Sequence, residues 1–357
     1  MPALGQTNLN VSSLGLGTVE IGLPYGIGVK TLPSDKEAEH ILKTAIELGI
    51  TYFDTARGYG VAEERIGKFG ISQLEGIVVG TKCAQFLREE PNLTGPPLEK
   101  RIREEVDLSR KFLKLSTLPL LQLHIESPNF DNLEELIEIA SKLQAEEKVQ
   151  HIGLACRGEN VPLAALTKLG KARQAQVVSR VGVGGRPELV EGRGISEAND
   201  FVPVGLNKTK ERPVAAPFFA TIQTAYSILD QRMAEKVLPQ AKEKNVGVIC
   251  RSVLLKGALT PAAEKLPPKL APLKNNSLAA AKIAADLGID LPTLAIRFAA
   301  FHPAISTILI GTVKPKHLET ALAAIAAGPL PDTVLPKLAN LAINDPSQVD
   351  PSQWPKI

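Results

Sequence analysis

ITYFDTARGYGVAEERIG, residues 50–67, sets the pattern of the chain. A five-residue apolar run ends on Asp54. A short loop carries Tyr59 five residues further on, and an amphipathic stretch near 61–69 reads as a helix. The same unit recurs on both sides. Apolar runs at 14–18 (LGLGT), 76–82 (GIVVGTK), 118–124 (LPLLQLH), 149–155 (VQHIGLA), 220–225 (ATIQTA), 246–250 (VGVIC) and 305–310 (ISTILI) bring the expected strands to eight. Short continuous apolar strands separated by helices predict parallel pairing with both faces covered.

The helix signals agree. Ser34 and Glu37 form a capping box ahead of Ala38, Ile41, Leu42 and Ala45, and Gly49 stops that helix. Asp131 and Glu134 make a similar pair before Leu136 and Ile137. Periodicity places further helices near 98–113, 159–170, 231–244, 276–287, 291–301 and 315–327. Eight alternating units suit a closed barrel or an open doubly wound sheet. The count favours an α/β fold of the (β/α)8 TIM-barrel kind, as one domain over 1–330 followed by a tail at 331–357.

One segment breaks the rhythm. About fifty residues separate the helix ending near Gly170 from the strand at 220, where such connections normally take about 2–6. Residues 176–218, with scattered Gly, Pro and charge, read as a surface insertion, the other readings being a lid or partner-binding arm and a misassigned strand. The insertion follows a helix and precedes a strand, which assigns it to the face opposite barrel chemistry. The tail, NDPSQVDPSQWPKI, holds the one tryptophan, Trp354, and reads as irregular.

Composition narrows the function classes. The 41 basic and 38 acidic residues of the 357 leave a net charge of +3, and aromatics are 4%. Nothing there calls for nucleic acid or an acidic membrane. The N-terminus lacks a basic region followed by a long apolar run, and the other apolar runs are too short or interrupted to span a bilayer, so a soluble cytoplasmic protein is expected. Cys83, Cys156 and Cys250 are neither a disulfide framework nor a metal-ligand pattern. Small apolar packing is expected of them, with an oxidation-sensitive thiol as the alternative.

Three successive strands end in a titratable residue: Asp54, Lys82 and His124. With Tyr59 they all belong to the C-terminal rim of a closed barrel. Singly, each has a structural reading, as a helix cap, a surface charge or a satisfied rim residue. Their agreement in phase supports a chemical one. A tyrosine, with an ordinary pKa near 10, becomes a better acid beside an ammonium. Lys82 then needs a counter-ion, which Asp54 supplies, and His124 can donate to the same substrate oxygen. Such a site suits a carbonyl receiving hydride from a cofactor. Glu20, Tyr25, Arg57 and Phe86 are candidate pocket residues.

FDTARGYGVAEERIG (53–67), VVGTK (78–82), LLQLH (120–124) and KVQHIGLA (148–155) together resemble the aldo-keto reductase family, and LGLGT (14–18) fits its first strand. The resemblance covers about 8–172 and 219–327. It implies the barrel, NADPH-linked carbonyl chemistry on a small carbonyl or alcohol, with NADH as the alternative cofactor, and the tetrad Asp54, Tyr59, Lys82 and His124. It also implies a dinucleotide held by Gln223, by Arg251, Ser252 and Leu254, and by the turn Gly311, Thr312, Val313, Lys314 and His317, with Lys316 adding charge. No metal is implied. Ala155-Cys156 stand where the family usually has a Ser-Asn pair, and Thr320-Ala321 where it usually has Glu-Asn. These departures motivate a second reading, a catalytically slow barrel acting as a binding or regulatory subunit.

Overall fold

The computed structural model describes residues 3–26, 31–127, 130, 132–168 and 217–355. Strands β1 (Leu14–Gly17), β2 (Tyr52–Asp54), β3 (Val78–Cys83), β4 (Leu118–Ile125), β5 (Val149–Cys156), β6 (Thr221–Ala225), β7 (Gly247–Arg251) and β8 (Thr307–Gly311) close into a barrel in sequence order. Every neighbouring pair is parallel, and β8 returns to β1 with Gly17 opposite Gly311. That last pairing excludes the doubly wound alternative.

Helices α1 (Asp35–Glu47), α2 (Ala62–Lys68), α3 (Gly95–Leu113), α4 (Leu133–Ala145), α5 (Asn160–Thr167), α6 (Val237–Glu243), α7 (Ala271–Asp286), α8 (Leu291–Ala300) and α9 (Pro315–Ala326) lie between or after the strands. The capping box of α1 is complete: Ser34 accepts from the Glu37 N–H, and Glu37 accepts from the Ser34 N–H. At α4, Asp131 lies outside the described residues. Asn132 is the N-cap, and its side chain bonds Glu135 instead of a backbone N–H.

Alternation along the strands builds the interior in layers. Phe53, Val79, Leu121, Leu123, Ile152, Leu154 and Ile222 face the helices. Tyr52, Val78, Leu120, Ile249 and Leu309 face inward and pack with Leu4, Leu9 and Val11. The N-terminal hairpin, bridged at Ala3 and Asn10, thus joins this inner cluster. Tyr52 fits because Gly80 is its neighbour: a Cβ there would collide with the Tyr52 hydroxyl. Further toward the C-terminal ends of the strands, the same alternation brings Asp54, Lys82, Gln122 and Gln223 inward, all buried polar groups.

Two expectations at the edges change. Residues 176–216 of the expected insertion lie outside the described residues. Phe218, at its expected end, belongs to the core: it is buried, meets Phe219 edge-on at 5.1 Å between ring centroids, and donates its N–H to the Lys168 carbonyl at 3.0 Å. The tail is also folded. It forms α10 (Leu335–Ala339) and α11 (Pro346–Val349), and Leu338, Val349 and Trp354 join Leu270, Leu273 and Leu294 in a second apolar cluster. The indole of Trp354 donates to the Gln348 carbonyl at 2.9 Å. No described helix is long and apolar enough to cross a membrane.

Candidate active site

Asp54 and Lys82 are brought together at the C-terminal rim of β2 and β3. Neither is the cap or surface charge of the structural reading: Lys82 is 1% and Asp54 3% exposed. Lys82 Nζ lies 2.6 Å from Asp54 Oδ2 and donates to the Thr55 carbonyl at 2.9 Å. The other carboxylate oxygen, Oδ1, accepts from Gln223 Nε2 at 2.6 Å and Gln122 Nε2 at 3.3 Å. A buried carboxylate held by an ammonium and two amides is well compensated. Burial pulls the Lys82 pKa down, but Asp54 and Tyr59 more than offset it and hold the ammonium above the usual lysine range.

Tyr59 completes the group. Lys82 Nζ is 4.8 Å from the centroid of its ring. Burial pushes the phenol up, and the opposing pull of Lys82 only partly offsets it. The expectation that the ammonium makes Tyr59 a stronger acid therefore holds for the sign of the Lys82 contribution but not for the net shift. The result is a phenol that stays protonated at neutral pH.

His124 projects from β4 two residues beyond Gln122, on the same side of the strand. Burial, then the charges of Lys82, Arg251, Arg157 and Arg88, hold its pKa well below the usual histidine range, so the ring is neutral. Its Nδ1 is buried without a partner, and Nε2 lies 3.5 Å from Glu126 Oε1. Glu126 also meets Arg88 and Arg157, each at 3.3 Å. Arg157 in turn bonds Asp350 of the tail at 3.1 Å, so a chain of charge runs from the C-terminal segment to His124. Sequence reasoning passed over Glu126, Arg157 and Gln122. The available signal was a polar residue in phase with His124 inside an apolar strand, and charges just past two strand ends.

Among the four candidate pocket residues, Glu20 and Tyr25 are electrostatic neighbours at the rim, with Tyr59 and Arg251 also acting on Tyr25. Arg57 and Phe86 turn toward α3 instead. Arg57 pairs with Glu63 and lies over Phe112, while Arg101 covers Phe86. All three cysteines are buried, and burial raises their thiols, Cys156 and Cys250 to about 12, which matches the packing reading.

Residues suited to a dinucleotide occupy the rim from β6 round to β1. Arg251 reaches from β7 to the Cys156 carbonyl at 3.1 Å and to Ser252 Oγ at 3.2 Å. Ser252 has φ +63, Leu255 +43 and Lys256 +51, an uncommon run of left-handed non-glycine backbone just beyond the strand. At the seam between β1 and β8, Gly17 faces Gly311 and neither carries a side chain. Thr312 and Lys314 lead into α9, which opens on Pro315 with no side-chain cap. The Lys314 N–H donates to Thr312 Oγ1 and the His317 N–H to the Lys314 carbonyl, each at 3.0 Å. A helix N-terminus of this kind favours an anion. The positive charge of that turn is smaller than the sequence suggests. His317 bonds Thr312 at 2.9 Å and is kept neutral by burial and by Lys314, and Lys316 pairs with Glu319 at 3.1 Å. These residues fit a nicotinamide dinucleotide at its phosphate end, with Gln223 already turned toward Asp54 at the other.

The family model described as "Aldo/keto reductase family" matches residues 13–180 and 204–343. L-galactose dehydrogenase of Arabidopsis thaliana is 28% identical over 335 residues, covering 90% of this chain and 87% of the relative. D-threo-aldose 1-dehydrogenase of a Pseudomonas species is 26% identical over 363 residues, covering 92% and 94%. The holo form of an aldo-keto reductase from Bacillus halodurans superposes with a TM-score of 0.66 at 22% identity, over 97% of this chain and 98% of that one. That last likeness concerns the fold.

Proposed function

The chain belongs to the aldo/keto reductase family, and on that premise we propose that it interconverts a carbonyl and its alcohol with a nicotinamide dinucleotide. The observation that carries this reading is the buried ammonium of Lys82, clamped by Asp54 and lying 4.8 Å from the ring of Tyr59.

The dinucleotide supplies or accepts the hydride when bound. The remaining work belongs to the chain. In reduction, the Tyr59 hydroxyl donates its proton to the substrate oxygen as negative charge develops there. Lys82 then stabilises the phenolate, and Asp54 keeps Lys82 charged and in place. His124, neutral, has one ring N–H with which to donate to the same oxygen and orient it. In oxidation the same groups run in reverse.

Gln223, Arg251, Ser252 and Leu254 are assigned to the nicotinamide and central part of the dinucleotide. Gly311, Thr312, Val313, Lys314 and His317 are assigned to its adenosine phosphate end. A preference for NADPH over NADH rests chiefly on Lys314 and the N-terminus of α9, because Lys316 and His317 are engaged locally. One charge-assisted hydrogen bond is worth about 1.5–3 kcal/mol, or about tenfold in affinity at the lower end. The names of the two curated relatives, dehydrogenases of L-galactose and of D-threo-aldoses, support a sugar-like carbonyl or alcohol as substrate.

The test is a panel of aldoses, aldehydes and ketones with both cofactors in both redox states, followed at the cofactor absorbance. Tyr59→Phe should lower turnover by about 10²–10⁴-fold while leaving dinucleotide affinity nearly unchanged. Near-normal turnover in that variant would remove Tyr59 from the assignment. Absence of turnover with any substrate, alongside tight dinucleotide binding, would favour the regulatory reading.

A further inference from the structure

The seam between β1 and β8 holds a carboxyl group that the assignment above leaves unused. Glu20 sits in the single turn Val19–Ile21 just beyond β1. Its Oε2 is buried without a hydrogen-bond partner. The carboxyl packs directly on Gly311, where an added Cβ would collide with both of its oxygens. We propose that Glu20 couples dinucleotide binding to proton uptake, its carboxyl lying at the phosphate end of the cofactor site so that binding selects the carboxylic acid over the carboxylate. This rests on the nicotinamide-dinucleotide reading given above.

In α/β barrels phosphate groups bind at the loops after the last strands, aided by the N-terminus of a following helix. Gly311 ends β8 just ahead of α9, and Glu20 is the side chain that leans over it. A carboxylate against such a site opposes a phosphate, whereas a carboxylic acid can donate to one.

The carboxyl is also poorly compensated. A buried carboxylate with one oxygen unpartnered is costly, so the neutral form is favoured. Burial raises Glu20 to about 7, with only its own backbone N–H pulling the other way. Tyr25 is the titratable group facing it, and Glu20 helps to raise that phenol. The charges of Arg251 and Arg157 pull the Tyr25 phenol down, and Lys256 lies 5.8 Å over its ring. From β8 and α9 it meets the backbone of Gly311. Lys314 is not ion-paired with it, and Lys316 and His317 are committed to Glu319 and Thr312.

The sign follows. Free protein near neutral pH holds Glu20 partly ionised. Bound phosphates raise its proton affinity further, so binding takes up a proton and weakens as pH rises through about 7.

The experiment titrates the full chain with NADPH and with NADH between about pH 6 and about pH 8.5, reading reduced-cofactor fluorescence. Calorimetry in two buffers of different protonation enthalpy counts the protons. Comparing wild type with Glu20→Gln for the same dinucleotide cancels the titration of the 2′-phosphate, whose pKa is about 6. The expected result is a Kd that rises about tenfold or more across this range in wild type, one titrating group changing affinity by up to tenfold per pH unit. Glu20→Gln should show a much smaller rise, bind more tightly at the alkaline end, and lose the proton uptake.

Equal slopes in the two proteins, or affinity that improves with pH in wild type alone, would overturn the inference and leave the cofactor reading standing. Absence of dinucleotide binding in both proteins at every pH would overturn both. If Glu20→Gln does not fold, the wild-type calorimetry still decides, since binding without proton uptake near pH 7 rejects the coupling.

Discussion

The Lys82–Asp54 pair illustrates how a charge survives in an apolar barrel. Taking either ion out of water costs several kcal/mol, and that cost is offset only while every lone pair and proton is engaged. Asp54 keeps two amide donors if Lys82 is lost, whereas Lys82 keeps only the Thr55 carbonyl and Tyr59 if Asp54 is lost. Asp54→Asn should therefore cost about 3–5 kcal/mol of stability, and Lys82→Met somewhat less. The double variant should recover about 1 kcal/mol or more relative to their sum. Urea unfolding of the four proteins measures this, and additivity within about 0.5 kcal/mol would mean that the two charges are not energetically coupled. The pair was legible in the sequence because period-two alternation and strand ends place both residues in phase. Gln122 and Gln223 show the same phase, yet only Gln223 was picked out, through the family resemblance. Glu20 was legible as a candidate pocket residue but not in its burial against Gly311, and Glu126 was not legible at all. Their environments come from strands far away in the chain, β8 for Glu20 and the end of β5 for Glu126, and no local pattern carries that information.

At the scale of elements, the strands were readable and the tail was not. Each expected strand overlaps an observed one with ends differing by at most two residues, because a five-residue apolar run between turn signals has few alternatives. The tail helices α10 and α11 span five and four residues, too short for a 3.6-residue period to accumulate, and their stability comes from non-local burial. Trp354 is one of the tail residues buried there. Its ring packs among the apolar residues that include Leu270, Leu273 and Val349, and its indole bonds Gln348. Trp354→Ala should lower the unfolding free energy by about 3 kcal/mol or more. In wild type this single tryptophan reports the tail alone. Its emission should be blue-shifted in the native state and should shift red at the same urea concentration at which far-ultraviolet dichroism is lost. An earlier fluorescence transition would show that the tail detaches from an intact barrel. Because Asp350 of this tail holds Arg157, such detachment would also loosen the guanidinium that pairs with Glu126 beside His124.

For the whole molecule, the question is how much of the chain the barrel needs. The helix α5 ends at Thr167 and β6 begins at Thr221, yet the backbone is nearly closed between them, since the Phe218 N–H donates to the Lys168 carbonyl at 3.0 Å. Two chain ends one hydrogen bond apart can be joined by a tight turn without moving either. Loop-closure entropy grows only slowly with length, so removing a long connection should not weaken the barrel and should stabilise it slightly. The boundary matters more than the length. A deletion through 218, the limit suggested by composition, would remove Phe218, which is buried against Phe219 and the helices around it. We expect replacement of residues 169–216 by a short Gly-containing turn to give a folded protein with wild-type dinucleotide affinity and turnover. Extending the same deletion through Phe218 should cost about 3–5 kcal/mol, the usual penalty for emptying a buried aromatic site. Dichroism, urea midpoints and cofactor titration on the two deletions make the comparison. If the shorter deletion proved insoluble, or kept its fold but lost activity, residues 169–216 would have to contribute to the core or to the site, and one domain carrying a dispensable insertion would be the wrong description of this chain.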